Sequence, residues 1–548
     1  MEQIIVEREL DIGIRFEFDL VETSDVLDEK VDYIFVKLGL NSGYKQDSKK
    51  KLLKLVIVNL INAYKTKNTL FLVYTRDSGA YRRLATKHGK HVSFRTMMDI
   101  IKGLESLGFI EHHKGVNFPS FKRQSRMKMN TKLLDLITNE SILLIEIDVE
   151  PTKNCIIFRK EEIATKPVLD EDKKQIILKR GKNKGKPKTE KVRIKVDKTY
   201  KETKETKRMR SALTAYNNLL KRTFIDIPDF PEDGLVFEGR TRQGKKTKNT
   251  IRIDDNNKFV RRIFNNESWA DGGRYYGGWW TNLPEEWRNK IKVNDEWTVE
   301  VDYSGLHFKL LYNYVGINYK DDPYEINIPY FESANRNDLR NLIKVACLIL
   351  INAKDEKSTI KGIIQALWKH KDFHWFIERF GEIQEKKDKE TNEIIREKKL
   401  TKELINKLLG PIKLKHKRIQ KYFMSGIGIT LMNMDSEIAQ KVINFYTMEE
   451  VPILCIHDSF IIPISYAQDL KRQMAVATQE IIGKRLETKQ NKTKSYEHLF
   501  LTMTKKSESP EWKVKANKRY RERLKQWKNQ QECKVDYYYY KEEKTQFI

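Results

Sequence analysis

The stretch VPILCIHDSFIIP, residues 451–463, decides how this chain is read. An apolar strand pattern from Val451 to Ile456 runs into the polar pair His457-Asp458, and a second strand-like run follows. Two such runs around a short polar break make a hairpin, with Asp458 at its tip. A second stretch, TVEVDYSGLH at residues 298–307, brings Asp302 to the end of a strand as the chain enters a turn. Carboxylates on adjacent strands can hold two divalent cations. One cation lowers the pKa of an attacking 3′-hydroxyl, and the other stabilises a departing pyrophosphate. Mg²⁺ suits such a site because it prefers oxygen ligands and keeps substrate phosphates in its shell, with Mn²⁺ as the substitute. Asp302 and Asp458 are the expected metal pair, and the backbone carbonyl of Tyr303 is the expected extra ligand.

Between the two stretches lies NDLRNLIKVACLILINA, residues 337–353, with the apolar spacing of a helix. Arg340 and Lys344 are four apart and share a face, which Leu348 and Asn352 continue. Two cations on one stripe, with smaller groups beyond them, suit a clamp on a triphosphate whose far end meets the base or sugar. That is positioning plus charge stabilisation, as phosphoryl transfer requires.

In this order the motifs resemble family A DNA polymerases and the phage-type single-subunit RNA polymerases. Asp302-Tyr303-Ser304 looks like the DNA polymerases' motif A. Arg340-x3-Lys344 resembles the fingers helix, motif B, and His457-Asp458-Ser459-Phe460 looks like motif C in its RNA polymerase form. Asp322-Pro323-Tyr324 matches a segment that these families carry between motifs A and B. Gly273-Arg274-Tyr275-Tyr276-Gly277 resembles the Gly-Arg segment that touches primer and template. The resemblance covers residues 211–505. It implies an α+β, right-hand polymerase with an antiparallel palm sheet, helical fingers and a thumb. The implied activity is addition of nucleoside triphosphates to a primed DNA template with two Mg²⁺ ions, Asp302, Asp458 and Lys344 being catalytic. Arg340, Lys344, Leu348, Asn352 and His307 would then bind the nucleotide, and Arg274, Tyr275, Tyr276 and His457 the nucleic acid. The YYGGWW run also reads as a core cluster, and His457 also reads as an imidazole hydrogen-bonded within its hairpin.

Two departures bear on the sugar. His307 stands where the DNA polymerases have a glutamate that helps exclude ribonucleotides, and Leu348 and Asn352 stand where the families have aromatic residues. A single-subunit RNA polymerase or primase-like enzyme therefore remains an alternative, as does a DNA-binding initiator or regulator with an inactive palm. No proofreading nuclease is expected. Glu146, Asp148 and Glu150 alternate, which marks the wet face of a strand. Asp435 reads as a helix N-cap, and both it and Glu437 as structural or solvated. Lys415 to Lys421 add a basic patch near the expected duplex.

Composition agrees with a polyanionic partner: the 548 residues hold 105 Lys and Arg against 77 Asp and Glu, a formal net charge of +28. No apolar run reaches the length of a membrane span, and the first ten residues lack a signal-peptide core, so a cytosolic protein without a membrane partner is expected. Four scattered cysteines give neither a disulfide framework nor a zinc spacing. Four regions are expected: 1–125 with a winged-helix-like domain, 126–210 as a strand-containing connector and basic linker, 211–505 as the polymerase, and 506–548 as a charged tail. In the first region Ser93 caps FRTMMDIIKGLESLG, and Met97, Ile100, Ile101, Leu104 and Leu107 form an apolar stripe. A glycine, a short strand and a basic turn follow. The order resembles the recognition helix and wing of a winged helix, with Arg95, Lys102 and Lys114 facing a groove or phosphates. The same pattern serves protein contacts. Lys173 to Arg208 reads as a solvated tether, a mobile hairpin or a phosphate-tracking arm.

Overall fold

The chain folds as an α+β protein around two separate apolar cores. The computed structural model describes residues 13–545, except 23, 25, 67, 118–121, 138–144, 146, 150–154, 169–175, 178–184, 232–233, 241–245, 254–256, 388–393 and 491–509.

The first core is built in chain order by β1 (Gly13–Arg15), β2 (Leu20–Glu22), α1 (Asp28–Lys37), α2 (Gln46–Thr66) and β3 (Phe71–Tyr74). It continues through α3 (Ser78–His88), α4 (Phe94–Ser106), β4 (Ile110–His113), the small pair β5 (Val116–Asn117) and β6 (Lys122–Arg123), and β7 (Ser125–Met129). It closes with α5 (Thr131–Ile137) and β8 (Ile147–Val149). The sheet order is β1-β3-β7-β4, and α4 buries Met97, Ile100, Ile101 and Leu104 beneath it. Ser93 caps α4 by accepting from the Thr96 amide. The boundary expected at residue 125 cuts this unit. β7 is an interior strand, and Ile145 and Ile147 belong to the same core. Glu146 and Glu150, and the side chain of Asp148, lie outside the described residues.

The second core spans Cys155 to Ala477. The hairpin of β9 (Ile156–Pro167) and β10 (Thr189–Lys198) leads to α6 (Lys204–Arg222), β11 (Ile225–Asp226), the hairpin β12 (Leu235–Arg240) and β13 (Lys246–Ile251), then β14 (Val260–Phe264) and β15 (Gly272–Gly277). Next come β16 (Lys292–Val293), β17 (Glu296–Tyr303), α7 (Leu306–Tyr314), α8 (Arg336–Asn352), α9 (Glu356–Lys369) and α10 (His374–Phe380). The chain continues through β18 (Glu382–Lys387), β19 (Ile394–Lys399), α11 (Lys402–Lys415), α12 (Gly428–Met448), β20 (Leu454–Ile456) and β21 (Ser459–Pro463). It ends with α13 (Ala467–Ile482), β22 (Thr488–Gln490) and α14 (Glu511–Thr545). One sheet has the order β11-β16-β17-β21-β20, with β22 also paired to β17, and all its pairings are antiparallel. A second sheet, β10-β9-β14-β15, lies beside it.

Two regional expectations sharpen. Part of the basic linker is one strand of a hairpin, one of the forms expected for it, because β10 pairs with β9 over ten positions, and its last residues begin α6. The charged tail contains a docked helix. In α14 Ala516 and Tyr520 are buried, and Arg519 and Arg523 both reach the fully buried Asp226, at 3.2 and 3.1 Å. Among the described residues no helix is long and apolar enough to cross a membrane.

Candidate functional site

Strand register brings the two aspartates of the sequence motifs together. β17 pairs with β21 so that Val301 faces Phe460 and Asp302 faces Ser459, the residue after Asp458. β20 and β21 are joined by His457-Asp458 alone, between the paired Ile456 and Ser459. Such a tight hairpin needs positive φ in its turn, and His457 supplies it at 56°. Alternation along β17 buries Val299, Val301 and Tyr303 on one face and puts Thr298, Glu300 and Asp302 on the other. Tyr303 donates its hydroxyl to the Met474 carbonyl at 2.7 Å. After Asp302 the strand turns into α7 at Gly305, with φ 66°. A Cβ there would sit 2.7 Å from the Pro323 ring, so this turn accepts only glycine without rearrangement.

Asp302 is the electrostatic anomaly of the sheet. Burial pushes its carboxyl well above the usual carboxylate range, the nearby Asp458 and Glu300 push it further, and Lys344 opposes them. Its Oδ1 is buried and accepts no hydrogen bond. A buried carboxylate oxygen without a donor is costly, and a cation removes that cost. Two adjoining carboxylates, one with an oxygen left bare, fit a hard divalent ion with oxygen ligands. Among the described residues no three His, Cys, Asp or Glu gather as a metal set, so any ion held here takes its remaining ligands from outside that residue set.

The helix α8 starts at Asn335, whose side chain accepts from the amides of Asn337 and Asp338. It sorts the four expected nucleotide ligands that it carries into different environments. Arg340 is half-buried and engaged by Asp322, with nitrogen–oxygen distances of 2.6 and 2.7 Å, and lies 5.6 Å over the Tyr324 ring. Lys344, one turn on, is exposed, and its charge acts on Asp302. Leu348 packs partly against the core. Asn352 is exposed and donates to the Leu348 carbonyl of its own helix at 2.7 Å. Lys415, read from sequence as part of a duplex-facing patch, instead donates to the backbone carbonyls of Asp322 and Glu325, at 3.1 and 2.5 Å.

Beside the aspartates stands a buried ion-pair network that sequence reasoning did not assemble. Arg274 on β15 makes a forked contact to Asp435 on α12: Nε lies 2.8 Å from Oδ2, and the second nitrogen closes on the same oxygen. Arg274 also lies 2.8 Å from His307 Nε2, which in turn is 2.9 Å from Asp435 Oδ2. Burial works against the Arg274 charge. Asp435 more than offsets this, by its charge and its hydrogen bonds, and holds the guanidinium above its ordinary pKa. Asp435 is not an N-cap. It sits within α12, on the same stripe as the buried Leu431, Ile438 and Val442, and is itself fully buried. That position was the available signal: a carboxylate on an apolar stripe must have a buried partner. A parallel network serves Arg262, which meets Glu437, Gln440, Ser436 and the Gly273 carbonyl at 2.8 to 3.1 Å.

The aromatic residues beside Arg274 divide. Tyr275 is a core residue 5.2 Å beneath Arg262, so burial removes it from any contact with a nucleic acid. Tyr276 is 37% exposed and meets the His457 ring edge-on at 5.3 Å. Trp279 and Trp280 are fully buried, as the core-cluster reading requires. His457 makes no hydrogen bond through its buried Nδ1, against its hairpin reading. Its pKa is lowered by burial and then by Arg274. Arg95 and Lys102 are exposed on α4, in the first core's unit, and take no part in this cluster.

No protein-family model matches the chain, and no curated protein matches it.

Proposed function

We propose that the chain is a template-directed DNA polymerase that extends a primer 3′-hydroxyl by a two-metal mechanism. The observation that carries this reading is Asp302: a strand-end carboxylate beside the hairpin-tip Asp458, with a buried oxygen that no group among the described residues satisfies. Bound divalent ions would supply a lowered hydroxyl pKa and charge stabilisation at the α-phosphate and pyrophosphate.

The residues around the pair divide the remaining work. Lys344 is exposed one helical turn beyond Arg340 and offers its ammonium to the triphosphate, where charge develops. Arg340 is held by Asp322 at the same end of the helix and adds a second cation. Arg274 is locked by Asp435 and presents a fixed positive charge beside Asp458 for the primer-side backbone. Tyr276 and His457 form an aromatic edge on that same side. In the first core, the order helix, strand, helix, helix, strand, strand with a β5–β6 extension supports a winged-helix reading, with the exposed Arg95, Lys102 and Lys114 toward a duplex.

One observation favours a second reading, the incorporation of ribonucleotides by an RNA polymerase or primase-like enzyme. His307, five residues after Asp302, is tied into the Arg274–Asp435 pair and presents no carboxylate at that point. The test is extension of a labelled primer on a DNA template with dNTPs or rNTPs, in Mg²⁺ and in Mn²⁺. Extension with dNTPs that Asp302→Ala abolishes supports the proposal, and extension with rNTPs alone selects the second reading. No extension with either set, in either metal, points to a DNA-binding initiator with an inactive palm.

A further inference from the structure

The β9–β10 hairpin is longer than its sheet needs. Only Ile156–Phe158 of β9 pair with β14, at Arg262–Phe264. The rest of β9 pairs with β10 alone, out to Pro167 opposite Thr189. At about 3.4 Å per residue this is a two-stranded ribbon projecting roughly 30 Å. It projects from the sheet whose other edge, β15, carries Arg274.

The ribbon's charges are sorted along its length. Between Ile156 and Lys198 the sequence has 15 Lys and Arg against 7 Asp and Glu. Three acidic side chains near the root are used there: Asp197 holds Arg159 at 2.8 Å, Glu162 holds Lys198 at 2.6 Å, and Glu267 holds Lys160 at 2.7 Å. Farther out, Lys191, Arg193 and Lys195 alternate along β10, so all three project from one face. All three are exposed, and none has an ion pair among the described residues. Ile163, directly opposite Arg193, is 69% exposed on that face. The other face carries Val192, Ile194 and Val196, each half-buried. A strand of this pattern fixes its register by its apolar side and leaves its cations on the other.

We propose that this cationic face of the β9–β10 ribbon is a contact arm for the phosphate backbone of a nucleic-acid duplex. It rests on the nucleic-acid reading of the neighbouring site but not on catalysis there. Lys191, Arg193 and Lys195 share this face with one exposed acid, Glu161 opposite Lys195, and the three cations span about 14 Å, a length that meets several phosphates of one strand. A two-stranded ribbon is also narrow enough to lie along a duplex groove. The arm contributes affinity without sequence preference, because phosphate contacts carry no base information.

The test uses the full chain and a fluorescein-labelled 25-base-pair DNA duplex, with anisotropy read at several salt concentrations. The triple variant Lys191→Ala, Arg193→Ala, Lys195→Ala is compared with the unchanged protein and with the charge-keeping pair Lys191→Arg, Lys195→Arg. We expect the triple variant to bind at least about tenfold more weakly at low salt. Its slope of log affinity against log salt should be shallower by about 2 to 3, at roughly 0.9 per phosphate lost. The charge-keeping variant should bind like the unchanged protein. Circular dichroism should match throughout, since the substituted side chains are exposed. An unaltered slope in the folded triple variant overturns the proposal. So does loss of binding to phosphatidylserine vesicles with duplex affinity intact, which would make the arm a membrane contact. Affinity is read without turnover, so a failed extension assay sinks the polymerase reading and leaves the arm standing. An unaltered slope does the reverse.

Discussion

Replacing Asp435 by alanine removes the one carboxylate that holds Arg274 in place. Asp435 is fully buried and Arg274 is 12% exposed, so the guanidinium cannot turn to solvent without moving β15 or α12. His307 loses its Asp435 contact in the same step. Breaking one partner of a buried pair costs about 3–5 kcal/mol, because it strands a charge in the interior. The two cores need not unfold together, so a single unfolding free energy is not the right observable. Hydrogen exchange resolved by segment is. Protection of amides in β15 and α12 should fall by about 10² to 5 × 10³-fold, while α2 in the other core keeps its protection. The double variant Arg274→Met, Asp435→Leu removes both charges and should recover most of the loss, since apolar replacement of a whole buried pair is close to neutral. A drop of less than about fivefold in Asp435→Ala would refute the reasoning. So would a double variant as unprotected as the single one, since the harm would then come from lost packing rather than from a stranded charge.

Four further outcomes follow from the same geometry. Burial and Asp458 raise the Asp302 pKa, so its native state favours the protonated carboxyl. The stability it contributes is complete below about pH 4 and is lost as pH rises through the raised native value. Mn²⁺ must displace that proton, so calorimetry in buffers of different ionisation enthalpy should show proton release and an affinity that climbs through this window. Pairing by an affinity flat with pH would sink the metal assignment. Asp458→Asn should abolish primer extension yet leave duplex affinity nearly unchanged, because phosphate contacts supply most of it; equal loss of binding in anisotropy would make Asp458 structural. Lys344→Ala should lower extension about tenfold or more with unchanged thermal stability, whereas Arg340→Ala should also loosen the Asp322 loop, seen as faster exchange there. A truncation that removes residues 1–149 should leave a soluble body, while removal of 1–125 should aggregate, because it leaves β7, α5 and β8 without their core; size-exclusion chromatography decides.

The legible parts of this chain were those where one local pattern fixes one local shape. The hairpin around His457-Asp458, the strand ending at Asp302 and the helix through Arg340 and Lys344 all follow from apolar periodicity over short spans. Ser93 and its apolar stripe were legible for the same reason. What stayed hidden depends on contacts between distant segments. Arg274 and Asp435 are 161 positions apart, and no local pattern links them. Arg519 and Arg523 read only as part of a charged tail until Asp226, nearly 300 residues earlier, is found beneath them. β10 reads equally as a tether or as part of a hairpin because its sequence is mostly charged, and its ten-position pairing with β9 decides for the strand. Tyr275 and Tyr276 are chemically equal in the sequence, and the pleat alone sends one inward and the other out.

The arginines of the second core explain why Asp302 stands apart. Asp458 aside, four other buried or half-buried acids near the sheet have partners: Glu300 has Arg288 at 2.9 Å, Asp322 has Arg340, Asp435 has Arg274, and Asp226 has both Arg519 and Arg523. A guanidinium fixes a buried carboxylate by two parallel hydrogen bonds and takes it out of chemistry. In a chain with 105 Lys and Arg, supplying one more to Asp302 would have been easy. Instead the cation whose charge acts on it, Lys344, lies on an exposed helix face and leaves the Oδ1 atom bare. Stability alone does not account for that arrangement, because the bare buried oxygen costs folding energy and its neighbours show how the cost is avoided. The proposed exchange of ions and phosphates with solvent does account for it, since a permanent arginine on Asp302 would occupy the position where a divalent cation would bind.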